Sequence, residues 1–224
     1  MNATETMQTL ESLGTEQNRK VYRRHGVNGP VFGVSYADMG KLHKKIKVDH
    51  GLARELWVSG NHDARVLALF IADPAAADSK TIDAWVKDAQ DQVIAGALAH
   101  FVAQTSFAKQ KMEKWTKQQN EWPGSTGWTL LAIIARQDSE LPDDYFEEYL
   151  GIIEEGIHKS QNRVRYSMNS AVIAIGCRNA ALEKKALAAA NRIGKVIVDH
   201  GETGCKTPDA VAYIKKAAGR GKKR

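Results

Sequence analysis

The richest concentration of groups able to hold an anion is the stretch 157–178, IHKSQNRVRYSMNSAVIAIGCR. Arg163, Arg165 and Asn169 fall near the start of what reads as a helix, and the apolar run Ala171 to Ile175 follows directly. One element therefore carries both cations and its own buried anchor. Arg165 and Asn169 stand four apart and share a helical face. Guanidinium groups beside an amide suit phosphate positioning or contact with base edges. The same residues also suit an ordinary solvated helix start. Arg23 and Arg24, beside His25, form a smaller cationic group that could touch phosphate, and a helix end before Gly26 explains the histidine equally well. His200, Glu202 and Cys205 are metal-ligand types in one loop, but their spacing fits no zinc pattern and no metal is expected. No P-loop, dinucleotide fingerprint, Ser-His-Asp pattern or iron–sulfur spacing is present, so no cofactor is expected.

Those residues need elements to hold them, and the pattern is helical throughout. Residues 3–13 read as a short helix, and 18–34 as a basic turn leading into a Gly/Pro loop. Ser35 and Asp38 are spaced as an N-cap and its returning acid, opening a helix that carries Lys41, Lys44, Lys45 and Lys47. Residues 51–58 and 61–72 form a helical pair, with Asn61 as a cap and Pro74 as a stop. Val66, Leu67, Phe70 and Ile71 recur at helical spacing. Ser79 is placed to cap one long helix over 80–105, and 106–119 forms another. Pro123-Gly124 is expected to break the chain before a helix at 126–137. Pro142 is expected at the first helical position, before acids that favour the positive helix end. Phe146, Leu150, Ile153 and Ile157 then make an apolar stripe. Helices at 163–176 and 179–193 follow. A loop over 194–206 leads to Thr207-Pro208 and a last helix ending near residue 218. Strand-and-hairpin signals are lacking. Helical pairs joined by short turns are the mark of an all-α repeat protein, stacked into a curved α-solenoid. Residues 1–218 are expected to form one domain, and 219–224 a basic tail.

The chain has 224 residues, enough to bury a real core. A hydrophobic share of 43% with 26% charged residues predicts folding rather than disorder. The net charge of +6 favours an anionic partner, with nucleic acid the default. The two cysteines, Cys177 and Cys205, form no disulfide framework or paired zinc motif, which fits a reducing compartment. Cys177, ending an apolar run, is expected to be buried. The start MNATETMQTLESLG lacks the features of a signal peptide, and no apolar run is long enough for a bilayer. A cytoplasmic protein without membrane contact is expected.

Several stretches together resemble the AlkD-type DNA alkylation repair proteins, HEAT-like helical-repeat DNA glycosylases of bacteria. These are RKVYRRHGV with FGVS, RELWVSGNHDARVLALFIAD, the tryptophan-bearing helix at 85, and DDYFEEYLGIIEEGIHKSQNRVRYSMN. The resemblance spans roughly residues 18–218 and looks closest to a branch marked by YRRHGV, NRVRYSMN and VDHGETGCKTPDA. It implies HEAT-like pairs holding duplex DNA on a concave basic face, in a monomer located in the bacterial cytoplasm and at the nucleoid when bound. It further implies hydrolysis of the N-glycosidic bond of N3- or N7-alkylated purines. The cationic base is already a good leaving group, so a carboxylate that stabilises an oxocarbenium-like sugar suffices, helped by aromatic faces.

Carried over position by position, the resemblance is incomplete. The family's acid follows its tryptophan as Trp-x-x-x-Asp, and here Trp85 has Ala89 at that place. Asp88, three positions on, stays near the Trp85 face, and Asp91 is the alternative acid. Trp85 is equally readable as a packing aromatic. The family's concave arginine has no clear match. Trp128 falls near its expected place, and Arg163 or Arg165 is a candidate replacement. Trp85 and Asp88 are therefore the expected catalytic pair. Arg163, Arg165, Asn169, Trp128, Lys41, Lys44, Lys45, Arg23 and Arg24 are the expected contacts to double-stranded DNA bearing alkylated bases. The alternative is a non-catalytic protein that recognises DNA damage or shape and lacks the family carboxylate, and a lesser one is a scaffold for a protein partner.

Overall fold

Helix starts are set by short polar side chains, which satisfy backbone amides that no preceding turn can reach. Asn2, Thr15, Ser35, Asp49, Asn61, Asp78, Asp91 and Asn179 each accept a hydrogen bond from first-turn amides. In a computed structural model that describes residues 1–221, these caps open most of thirteen α-helices, and the described residues contain no strand. The chain divides into two compact units.

The first unit takes in Met1–Phe107 together with His200–Gly204. It holds α1 (Ala3–Leu13), α2 (Glu16–Arg24), α3 (Tyr36–Ile46), α4 (His50–Val58), α5 (His62–Ile71), α6 (Ser79–Asp88) and α7 (Gln92–Val102). α5 is its centre and packs against α3, α4 and α7. Every residue of α5 except Phe70 is buried, including His62, Asp63 and Arg65. A helix enclosed on all sides needs partners for each polar group it carries.

The second unit takes in Ala108–Asp199 and the chain from Cys205 onward. It holds α8 (Ala108–Trp115), α9 (Glu121–Gln137), α10 (Asp143–Gly156), a single 3-10 turn (Ile157–Lys159), α11 (Asn162–Gly176), α12 (Ala180–Ile193) and α13 (Ala210–Gly221). The core lies between α9 and α11, with α8 against α9, and α12 against both α10 and α11. Phe146, Leu150, Ile153 and Ile157 are all buried, as their spacing predicts. A Cβ added to Gly127 would lie 2.6 Å from the Thr116 amide nitrogen. Bare backbone at that position is what lets α8 and α9 approach so closely.

The structure departs from the sequence expectation in several places. Residues 16–24 form α2, where a turn was expected, because Thr15 caps them although none of their side chains is buried. The long helix expected over 80–105 is two, with Asp78 rather than Ser79 capping the first and Asp91 the second. Pro123 does not break the chain. It sits in the first turn of α9, where a missing amide donor costs nothing. Pro142 is itself the N-cap of α10 rather than its first residue. α13 opens at Ala210, with Asp209 accepting from the Ala212 amide. Cys177 is exposed at the end of α11, not buried. Of the expected basic tail, residues 219–221 complete α13, while Lys222, Lys223 and Arg224 lie outside the described residues. No described helix is long and apolar enough to cross a membrane.

Candidate functional site

The motif NHDAR at 61–65 resolves into four separate jobs. Asn61 caps α5 through the amides of Asp63 and Ala64. His62 places its Nδ1 2.9 Å from Asp91 Oδ2, with both side chains almost fully enclosed. Asp63, 1% exposed, accepts from three successive backbone amides of the preceding loop: Phe32 at 2.7 Å, Gly33 at 3.0 Å and Val34 at 2.9 Å. A carboxylate facing three amide donors is a strong, charge-assisted anchor. Gly33, at φ +83, supplies the left-handed turn that aims those amides at it. From the other side, Asn18 donates to the Gly33 carbonyl, Arg19 to that of Phe32 and Tyr22 to that of Val34. Burial, with Asp63 and Tyr36 nearby, pushes the Tyr22 phenol up to about 12. The segments RKVYRRHGV, FGVS and NHDAR, which carry the family resemblance, are thus one stitched assembly.

Arg65 completes a second cluster. Its guanidinium lies 5.1 Å from the Trp57 ring centroid and donates to the carbonyls of Trp57 and Asp88. Trp57 stacks on Trp85 with centroids 4.6 Å apart and planes 15° from parallel. Phe101 meets Trp85 as well, at 5.8 Å. Trp85 is only 4% exposed, so its ring is closed to a nucleotide, and its place beside the lesion is corrected to a place in the core. Asp88, the last residue of α6, is exposed and accepts the Trp57 indole N–H at 2.9 Å through Oδ2. Asp91 is buried, and both its oxygens are engaged, one by the amides of Val93 and Ile94 and the other by His62. That burial removes it as an alternative acid. Ala89, four positions after Trp85, is 2% exposed.

Of the expected DNA contacts in the first unit, Lys44, Lys45 and Arg24 are exposed without an ion-pair partner among the described residues. Lys41 lies 2.8 Å from Asp38, and its ammonium, with the Ser35 hydroxyl, holds the Asp38 carboxyl below the usual carboxylate range. Arg23 is exposed, with one N–H donating to the Val27 carbonyl. In the second unit, Arg163 and Arg165 are half-buried, and neither guanidinium has a partner among the described residues. The Arg165 Nε is buried and unsatisfied. Trp128, 1% exposed and edge-on to Tyr149, is a core residue and presents no face to a base. Asn169, 3% exposed, donates to the Pro208 carbonyl at 3.0 Å and so acts as a structural brace rather than a base reader. Sequence reasoning missed Trp57, His62 and Asp63. Their signal was present: a run of polar residues inside an otherwise apolar helix demands buried partners. Among the described residues no group of three potential metal ligands comes together.

With that geometry established, comparison with known proteins gives consistent matches. A family model described as DNA alkylation repair enzyme matches residues 6–214. The uncharacterized protein Lin0241 of Listeria innocua is 32% identical over 218 residues, covering 94% of this chain and 95% of its own. Lmo0209 of Listeria monocytogenes, also uncharacterized, is 31% identical over 220 residues, covering 95% and 96%. A solved structure, described as a new family of proteins related to the HEAT-like repeat DNA glycosylases with affinity for branched DNA structures, matches with a TM-score of 0.90. Its identity to this chain is 29%, over 99% of this chain and 95% of that one. The helical pairs are therefore HEAT-like repeats, as expected.

Proposed function

Because the chain belongs to the DNA alkylation repair enzyme family, we propose that it binds DNA, recognises branched or distorted structure, and does not excise alkylated bases. One observation carries this reading: Trp85 is sealed between Trp57 and Phe101, and Ala89, where the resemblance would place the family's acid, is a buried alanine. Without a carboxylate facing the sugar, an oxocarbenium-like transition state loses its main electrostatic stabiliser. What the chain does offer is cations. Lys44, Lys45, Arg24, Arg163 and Arg165 lack protein partners among the described residues, and such groups bind phosphates with release of condensed counterions. The solved structure with affinity for branched DNA supports the choice of structured DNA as the target.

A second reading keeps the glycosylase, with Asp88 as its acid. The observation in its favour is that Asp88 is exposed and only Oδ2 is engaged by Trp57. Release of 7-methylguanine and 3-methyladenine from methylated duplex separates the two. We expect wild-type protein to release no more than a protein-free control. Release by wild type that disappears in Asp88→Asn would establish the second reading and overturn the first.

A further inference from the structure

The irregular segment between α12 and α13 is held by α11 at two places within the second unit, in 194–199 and in 205–209. Asn162 donates to the Asp199 carbonyl and accepts from the Asp199 amide, both at 2.7 Å. Seven residues on, Asn169 donates to the Pro208 carbonyl at 3.0 Å. The two asparagines share a helical face, and Arg165 stands between them on it, its guanidinium unpaired and its Nε buried without an acceptor. The motif NRVRYSMN thus holds the motif VDHGETGCKTPDA at Asp199 and at Pro208.

Between this segment, the end of α12 and the first turn of α13 lies a groove of about 1010 Å³ with Asn169 in its wall. Lys195, Lys206 and Lys215 line it. All three are exposed, and none has an ion-pair partner among the described residues. Surface cations elsewhere in this unit are often paired: Lys109 with Glu113, Lys185 with Glu147, Arg192 with Glu154. The groove's one acid, Asp209, is turned to the Ala212 amide as a helix cap. The first turn of the twelve-residue α13 adds the positive end of its dipole. Val196 and Ile197, the latter 67% exposed, give the lining an apolar strip. Unpaired lysines, a helix start and an apolar strip together match a strand that presents phosphates on one side and sugars on the other.

We propose that this groove holds the phosphodiester backbone of one DNA strand. The proposal rests on the DNA-binding reading above and assigns it a surface. Fluorescence anisotropy with a labelled four-way junction, run across a salt series on the full chain, tests it. Three proteins are compared: wild type, Lys195→Ala with Lys206→Ala, and Lys185→Ala as a paired lysine outside the groove. Matching thermal transitions confirm that all three are folded. Each lost phosphate contact lowers the slope of log affinity against log salt by roughly 0.7–0.9. The double variant is therefore expected to lose about 1.4–1.8 from the slope, and Lys185→Ala to keep the wild-type value. A double variant that keeps the wild-type slope overturns the groove and leaves DNA binding intact. A wild type that binds no DNA overturns both. Inorganic pyrophosphate that competes for the groove lysines while the DNA slope stays unchanged would assign the site to a free phosphate and likewise overturn the proposal.

Discussion

Asp63→Ala is expected to lower folding stability by about 3–5 kcal/mol, one of the two largest effects expected in the first unit. The carboxylate is 1% exposed and holds the amides of Phe32, Gly33 and Val34. Alanine would leave three buried donors facing a void, and the loop would lose its tie to α5. The loop's contacts to Asn18, Arg19 and Tyr22 would weaken with it, so the cost should exceed that of one isolated hydrogen bond. Asp63→Asn should cost less, because its amide oxygen still accepts while its NH₂ group faces other donors. Urea denaturation followed by circular dichroism measures both. A loss below about 1 kcal/mol for Asp63→Ala would show that the carboxylate is not the anchor described.

Trp85→Ala comes next, with an expected loss of about 3–5 kcal/mol, the usual range for a buried tryptophan or phenylalanine reduced to alanine. The ring is stacked on Trp57 and meets Phe101, and Trp57 cannot move into the gap without disturbing its contacts to Asp88 and Arg65. Trp85→Phe should recover much of the loss. A lesion-facing tryptophan would behave in the opposite way, leaving stability nearly unchanged and DNA binding impaired. The pair of measurements therefore decides which role the residue has. An unchanged melting transition in Trp85→Ala would contradict the core assignment.

These two residues show where the sequence was legible and where it was not. Helices were readable because caps and apolar spacing are local signals, and Asn61, Ser35 and the stripe from Phe146 to Ile157 are found where expected. The break between α6 and α7 was not, because Ala89-Gln90-Asp91 contains neither proline nor glycine, and only the side-chain bonds of Asp91 mark it. α2 was missed because Val21 and Tyr22 are its only apolar side chains and it is held by its contacts to the loop at 32–34. Family membership was legible from motifs, yet those motifs proved to be mainly structural. Trp85, Trp128 and Asn169 have residue types that suit nucleic-acid contact, and burial alone assigns them elsewhere. Burial depends on which helices meet, which no short window of sequence contains. The stretch 157–178 retained its importance with its parts reassigned. Asn162 and Asn169 brace the segment that follows, while Arg163 and Arg165 remain without protein partners among the described residues.

The most direct test of the central claim is competition between a four-way junction and a linear duplex of the same sequences and length, at one physiological salt concentration. Structure-directed binding predicts that the junction is preferred, that both affinities fall as salt rises, and that methylating the duplex changes nothing. Equal affinity for junction and unmodified duplex, with a clear gain on methylation, would contradict the account and return the protein to lesion recognition.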